Sequence, residues 1–328
     1  MTIRGRNHDE VEASIRDTVP AQPGVYLFVN KAGEVLYVGK SVNLRSRMLS
    51  YFRWRHDKVE TRTGQMIHGI ETFDFFATRT ELQALLIEDE LIKRELPRYN
   101  IRQKEFDENR YLLLTCDPYP ALKTIEDQQS DIDGVLFGPF KDKYFTTRLL
   151  DFICHHFHFR ACTDQVPCEK CVSYDIGACA GPCRNTVSEK DYGVITERVT
   201  GFLHGDDSHA TATIEGELEA AVAGRHYERA AALRDQLQFC QRFCSRQRFI
   251  HRFETSKLVI MEGEVEHLFD RGRWITGRDQ PTNREQQLAT ESDLDIEAAS
   301  DIRFMRDRAN VVYTWLNGNA AICEYQFL

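Results

Sequence analysis

The chain has 328 residues, room for two or three domains, with a formal net charge of −9 and 42% hydrophobic residues. No apolar run approaches the roughly 20 residues of a membrane helix, and the charged stretch Met1–Asp17 reads as no secretory signal, so a cytoplasmic protein without membrane association is expected. The negative total argues against a generic nucleic-acid coat, which is commonly strongly basic.

Residues 1–22 form a polar lead with a short helix expected over Glu10–Val19, before Pro20. Two β-branched runs follow, Val25–Val29 and Val35–Val38, joined by a polar connection containing Gly33. This pattern predicts a β-hairpin. Ser41 is the expected N-cap of an amphipathic helix carrying Leu44, Met48 and Leu49. Tyr26 and Tyr37 fall on neighbouring strands, with Lys40 just past the second and Arg45 and Arg47 on the helix. A phenol, an ammonium and guanidinium groups can therefore gather at one end of a small sheet, although a plain hairpin with core tyrosines has the same pattern. Lys40, Arg45, Arg47, Arg53, Arg55, Lys58 and Arg62 make a basic cluster opposed only by Asp57 and Glu60. A third strand is expected within 70–77, where Phe73 and Phe75 alternate with polar neighbours.

Thr80 and Gln83 form a capping box, opening a helix over Glu81–Leu96 that stops before Pro97. Glu88 has Ala84, Leu85, Leu91 and Ile92 as its neighbours three and four residues away, so a carboxylate sits in the apolar stripe. Such a group is normally paired, metal-bound or protonated. Glu90, beside Lys93 and Arg94, reads as a solvated residue.

Strands are expected at Tyr111–Thr115 and Val135–Gly138 and a helix at Thr146–Phe157. His155, His156 and His158 lie just ahead of five cysteines, Cys162, Cys168, Cys171, Cys179 and Cys183, and read as surface or satisfied core histidines in preference to ligands. In a cytosolic chain, five of ten cysteines in so short a span favour a metal or iron–sulfur site over disulfides. The spacing suits either a tetrahedral zinc site or an iron–sulfur cluster on four thiolates. Ser188–His204 reads helical, and 210–248 as two helices, the first ending near Gly224 at a C′ position. Alanines 230–232 with Leu233 and Leu237 suit close antiparallel packing. Beyond Phe249, Ser256–Glu262 and Val265–Phe269 alternate as strands, Trp274 and Ile275 extend them, and Val311–Leu316 and Ala320–Phe327 read as strands or short helices with no assignable role.

Gly24-Val25-Tyr26 followed by Tyr37-Val38-Gly39-Lys40 resembles the GIY-YIG nuclease signature. With Asn43-Leu-Arg-Ser-Arg47, Ser50-Tyr-Phe52, Pro97-Arg-Tyr-Asn100, Phe137-Gly-Pro-Phe140 and Cys171–Cys183, the chain is similar to the UvrC/Cho family of excision-repair nucleases. The resemblance implies a mixed α/β (α+β) chain: a GIY-YIG nuclease domain (1–104) with a small antiparallel sheet flanked by helices, a cysteine-rich iron–sulfur region (105–205), a UVR-like helical hairpin (206–249) and a small C-terminal α+β region (250–328). It implies a single metal-dependent incision in damaged double-stranded DNA, 3′ of the lesion, with Glu88 holding Mg2+ or Mn2+. The resemblance points to Tyr37 as base, with Tyr26 as a second phenol, Arg47 contacting the phosphate, and Tyr51 and Asn100 assisting; a phenol base needs nearby positive charge, which Lys40 or metal-bound water could supply, and by sequence either tyrosine can be the one that deprotonates. Arg45, Arg53, Arg55 and Lys58 would meet DNA. A 4Fe–4S cluster would sit on Cys162, Cys171, Cys179 and Cys183, leaving Cys168 surplus. Tyr227, Glu228, Ala231, Arg234 and Asp235 would meet UvrB, with UvrA acting upstream. Two other readings are a non-catalytic UvrB-binding iron–sulfur module and a GIY-YIG nuclease outside repair. No RNase H-like or helix-hairpin-helix pattern is visible after residue 250.

Overall fold

The computed structural model describes residues 3–4, 8–53, 61–100, 110–126, 133–140, 143–162, 171–276, 302–321 and 323–328. They fall into two compact units, one of residues 1–106 with 253–328 and one of residues 107–252.

The first unit begins with β1 (Ile3–Arg4), α1 (His8–Thr18), the hairpin β2 (Gly24–Val29) and β3 (Val35–Ser41), α2 (Leu44–Phe52), α3 (Arg62–His68), β4 (Thr72–Ala77) and α4 (Glu81–Glu95). The sheet order is β1-β4-β2-β3, all antiparallel. Alternation along β2 gives each face its own core. Tyr26 and Phe28 pack with Val11, Ile15, Leu44, Met48 and Phe73, whereas Val25 and Leu27 pack with Val38, Ala84, Leu91 and Ile92. The sheet therefore separates α1 and α2 from α4, and reagents on either side must meet at its end.

Ser41 is not the cap of α2. It pairs with Gly24 in the β-ladder, and Asn43 is the N-cap, its side chain accepting from the Ser46 N–H. Both are cap-type residues two positions apart; pairing of the hairpin decides between them. Thr80 caps α4 as expected, accepting from the Gln83 N–H at 3.2 Å, while the Gln83 side chain accepts from the Arg79 N–H at 3.0 Å.

The second unit holds β5 (Arg110–Thr115), β6 (Leu122–Glu126) and β7 (Gly134–Phe140) in the order β6-β5-β7, with α5 (Lys143–Phe157), α6 (Val172–Asp175), α7 (Glu189–Leu203), α8 (Ser208–Ala223) and most of α9 (Tyr227–Thr255). Its core runs from Leu112 and Phe137 through Leu149, Phe159 and Phe202 to Phe243. Gly224 is the C-cap of α8, and the left-handed residue after it is Arg225 (φ 58°), so the glycine stands one position earlier than expected.

In the first unit again, β8 (Lys257–Glu262), β9 (Val265–Asp270), β10 (Arg273–Thr276) and β11 (Cys323–Phe327) form a sheet ordered β10-β9-β8-β11. The apolar stretch Val311–Leu316 lies within α10 (Ile302–Asn319), a helix with Ala309, Val312 and Leu316 buried.

Candidate active site

Tyr26, Tyr37 and Tyr51 form a triangle with every pair of ring centroids 6.1 Å apart. The hairpin register sets Tyr26 opposite Gly39 and Phe28 opposite Tyr37. Tyr26 is fully buried, and its hydroxyl passes over Gly39 so closely that a Cβ there would lie 2.5 Å from it. Only glycine leaves that space. The Tyr26 and Tyr51 hydroxyls are 2.8 Å apart, and the Arg47 guanidinium carbon stands 5.2 Å from the Tyr51 ring centre. Burial pushes both the Tyr26 and the Tyr37 phenols well above the usual phenol range; Tyr51 adds to both, Glu88 adds at Tyr37, and Arg47 opposes without offsetting. Both phenols are therefore neutral near pH 7. Burial works against the charge of Arg47, and Tyr51, Tyr26 and Tyr37 more than offset it, so its pKa is raised.

Glu88 reaches this group from the opposite face of the sheet's end. Its Oε1 accepts the Lys40 N–H at 2.9 Å, where β3 is about to leave the sheet. Burial raises its carboxyl pKa, with the Lys40 N–H and charge acting the other way. The Lys40 ammonium is not available to lower a phenol pKa as expected: it pairs with Glu81 Oε1 at 2.7 Å. Among the described residues Glu88 thus has one backbone donor, no ion-pair partner and a second oxygen without a hydrogen bond. A half-buried carboxyl oxygen left in that condition fits a divalent cation such as magnesium, which takes one or two carboxylates and keeps much of its water.

Asn100 uses both ends of its buried side chain on one residue of β3: Oδ1 accepts the Val38 N–H at 2.9 Å and Nδ2 donates to the Val38 carbonyl at 2.8 Å. It ties down the strand that carries Tyr37 and Lys40. Asn100→Ala leaves two buried backbone groups unpaired, at about 1–3 kcal/mol each. A loss of about 2–4 kcal/mol is expected in denaturant unfolding. Arg45 donates from Nε to the Val19 carbonyl at 2.6 Å, at the end of α1, and Arg53 is exposed. Arg55 and Lys58 lie outside the described residues.

The four cysteines expected to act together are neighbours in the second unit. Burial raises the Cys162 thiol pKa, with Cys183 and Cys171 adding to it, and burial raises that of Cys179, with Cys162, Cys171 and Cys183 adding. The Gly181 N–H donates to Cys179 Sγ at 3.4 Å. Sequence spacing missed Cys154 on α5, whose thiol burial pushes up to about 12, with Asp151, Cys179 and Cys162 contributing. Cys168 lies outside the described residues. His158 Nδ1 is 2.5 Å from the Gly177 carbonyl, within the cysteine loop, and His156 Nε2 is 3.2 Å from Gln236 Oε1. Burial lowers the His156 pKa to about 4, with His155 adding to the effect. One ligand atom each of His155, His156 and Glu217 lie within 4.8 Å of one another, the one such trio among the described residues.

Tyr227, Glu228, Ala231, Arg234 and Asp235 all lie on the exposed face of α9, whereas Ala230 and Leu233 between them are buried in the core. The described residues contain no helix long and apolar enough to cross a membrane.

Two family models match the chain: a UvrC-like GIY-YIG domain over residues 22–101 and the UvrC/Cho excinuclease middle domain over residues 110–202. The UvrABC system protein C of Methanosarcina acetivorans is 36% identical over 222 residues, 67% of this chain and 42% of that protein. Its namesake in Syntrophomonas wolfei is 34% identical over 266 residues, 79% of this chain and 44% of that protein. The chain thus spans less than half the length of these relatives. A crystal structure of the GIY-YIG N-terminal endonuclease domain of UvrC from Thermotoga maritima, bound to its catalytic magnesium, is 29% identical, covering 28% of this chain and 98% of that one with a TM-score of 0.25.

Proposed function

Because the chain belongs to the UvrC/Cho excinuclease family, we propose that it is a metal-dependent endonuclease that makes one incision in damaged double-stranded DNA, 3′ of the lesion, during nucleotide excision repair. The observation that carries this reading is the meeting of Glu88 with β3 beside three clustered tyrosines and Arg47.

Glu88 would hold Mg2+, or Mn2+ in its place. When bound, the cation supplies Lewis-acid stabilisation of charge on the phosphoryl and leaving oxygens. Tyr37 is the better candidate for the base: both phenols are tied to Tyr51, but Tyr26 is fully buried whereas Tyr37 is only half-buried. Tyr37 must give up its own proton before it can take one from water, and the neighbouring Arg47 charge favours that loss. Arg47, exposed at the rim, offers its guanidinium fork to the scissile phosphate. Tyr51 orients both Arg47 and Tyr26, Lys40 positions Glu88 through its backbone, and Asn100 positions β3. Arg45, Arg53, Arg55 and Lys58 supply phosphate contacts without sequence preference, so binding weakens with salt.

We assign Cys162, Cys171, Cys179 and Cys183 to a 4Fe–4S cluster in preference to one zinc ion. Four thiolates are the ligand set such a cluster takes; Cys171 and Cys183 both act on the Cys162 thiol, and Cys162, Cys171 and Cys183 all act on that of Cys179. The exposed face of α9, from Tyr227 to Asp235, is the proposed UvrB contact, with UvrA upstream and the cytoplasm as the setting.

The test is incubation of the full chain with a lesion-bearing duplex, UvrB and Mg2+. A single metal-dependent nick 3′ of the lesion is expected. No nick, or a nick that survives Glu88→Gln, overturns the reading.

A further inference from the structure

Neither family match reaches residues 253–328, yet this region holds both ends of the helix that carries Glu88. At the start of α4, three N–H groups lack a partner within the helix. Thr80 takes that of Gln83, and both oxygens of Glu262 take the other two: Oε1 accepts from Glu81 at 2.9 Å and Oε2 from Leu82 at 3.1 Å. Glu262 stands at the end of β8, 181 residues beyond Glu81. His267, fully buried on β9, has Nε2 3.2 Å from Thr80 Oγ1 and 3.5 Å from Glu262 Oε2. Burial opposes the Glu262 charge, but His267, Thr80 and the two N–H groups hold its carboxyl below the usual range. It is therefore an anion at a helix N-terminus, where the dipole favours it.

The far half of α4 is held by α10. Asp307 Oδ2 lies 2.6 Å from the buried Lys93 ammonium, which also pairs with Asp89 at 2.5 Å, and Arg308 donates to Glu90 at 2.9 Å. Asp89 and Glu90 flank Glu88 in the helix. Glu81, whose N–H Glu262 takes, holds the Lys40 ammonium, and the Lys40 N–H holds Glu88. One hydrogen-bonded chain therefore links Glu262 to the proposed metal carboxylate.

We propose that β8–β11 and α10 form an intramolecular brace and that Glu262 is a positioning residue setting the register of Glu88 against β3. The proposal rests on the nuclease reading for its metal, but the brace itself does not depend on it. The chain without the brace would keep the carboxylate and lose its fixed place.

The experiment uses the full chain, with Mn2+ alone as probe. Mn2+ affinity is measured by the electron paramagnetic resonance of the free ion, and backbone exchange by deuterium uptake in peptides covering Lys40 and Glu81–Glu88. Isosteric Glu262→Gln replaces one acceptor oxygen by a donor. It is expected to weaken Mn2+ binding about three- to fivefold and raise exchange in both peptides, and Glu262→Ala to weaken binding about tenfold. Arg248→Ala, which removes an ion pair with Asp207 in the other unit, should change neither. If Glu262→Gln stays folded with unchanged exchange at Lys40 and Glu81–Glu88, or with raised exchange and unchanged Mn2+ affinity, the positioning role is overturned. If the wild type binds Mn2+ no better than Glu88→Gln, the nuclease reading fails by itself, and the exchange at Lys40 and Glu81–Glu88 alone decides the brace.

Discussion

Glu88→Gln is expected to cut nicking by about a thousandfold or more while making the metal-free protein more stable. The loss follows from scale: an anchored cation contributes several kcal/mol to such a reaction, and each 1.4 kcal/mol is about a factor of ten. The gain follows from the state of the carboxylate. Glutamine keeps an oxygen for the Lys40 N–H and removes a charge whose burial is uncompensated by any ion pair among the described residues. The folded-state pKa of Glu88 lies above its ordinary value of 4.5. The ionised form is therefore the one the fold disfavours. The penalty is absent below the ordinary value, grows as pH rises through the raised one, and is complete above it. The variant should match the wild type in stability at low pH and exceed it near pH 7, by about 1 kcal/mol, the usual size of such a functional-site substitution. Mg2+ should stabilise the wild type and leave the variant unmoved. Thermal melts across pH, with and without Mg2+, check this; a variant less stable than the metal-free wild type at pH 7 would show that Glu88 is a structural carboxylate.

Cys179→Ser is expected to strip iron and visible absorbance from the purified protein and lower the melting of the 107–252 unit more than any surface change there. Ligand binding of this kind is folding energy in small metal-bearing regions, about 10 kcal/mol or more for structural sites. Within the loop, α6 is four residues long and has no buried residue. Burial raises the Cys162 and Cys179 thiols, so each must release a proton when it becomes a ligand. Loading should therefore weaken as pH falls. Iron analysis and calorimetry at two pH values test this. An unchanged iron content in Cys179→Ser removes that residue from the ligand set and leaves Cys154, its electrostatic neighbour on α5, as the replacement to examine; zinc in place of iron refutes the cluster.

Local chemistry wrote much of this molecule plainly. The hairpin, the Thr80 cap, the half-buried Glu88 and the clustering of four cysteines each rest on patterns within about two dozen residues. What was not legible depends on distant partners. Glu262 reads as the polar end of a strand, and nothing near it signals that its two oxygens close a helix early in the chain. Glu81 entered the sequence reading only as the first residue of a helix, and only the fold shows that it pairs with the Lys40 ammonium. Val311–Leu316 has a strand's composition, but it lies inside an 18-residue helix whose Asp307 and Arg308 find charged partners on α4. Tertiary context overrode propensity there.

The distance from Glu81 to Glu262 also sets a clock. At about 5–20 residues added per second, a ribosome needs roughly ten to forty seconds to go from one to the other. Until then the first part of the chain carries Glu88 on a helix whose opening turn still awaits two acceptors. A message broken within that interval would yield a chain whose Glu88 helix has an unsatisfied first turn and, on the brace proposed above, a carboxylate without its fixed place.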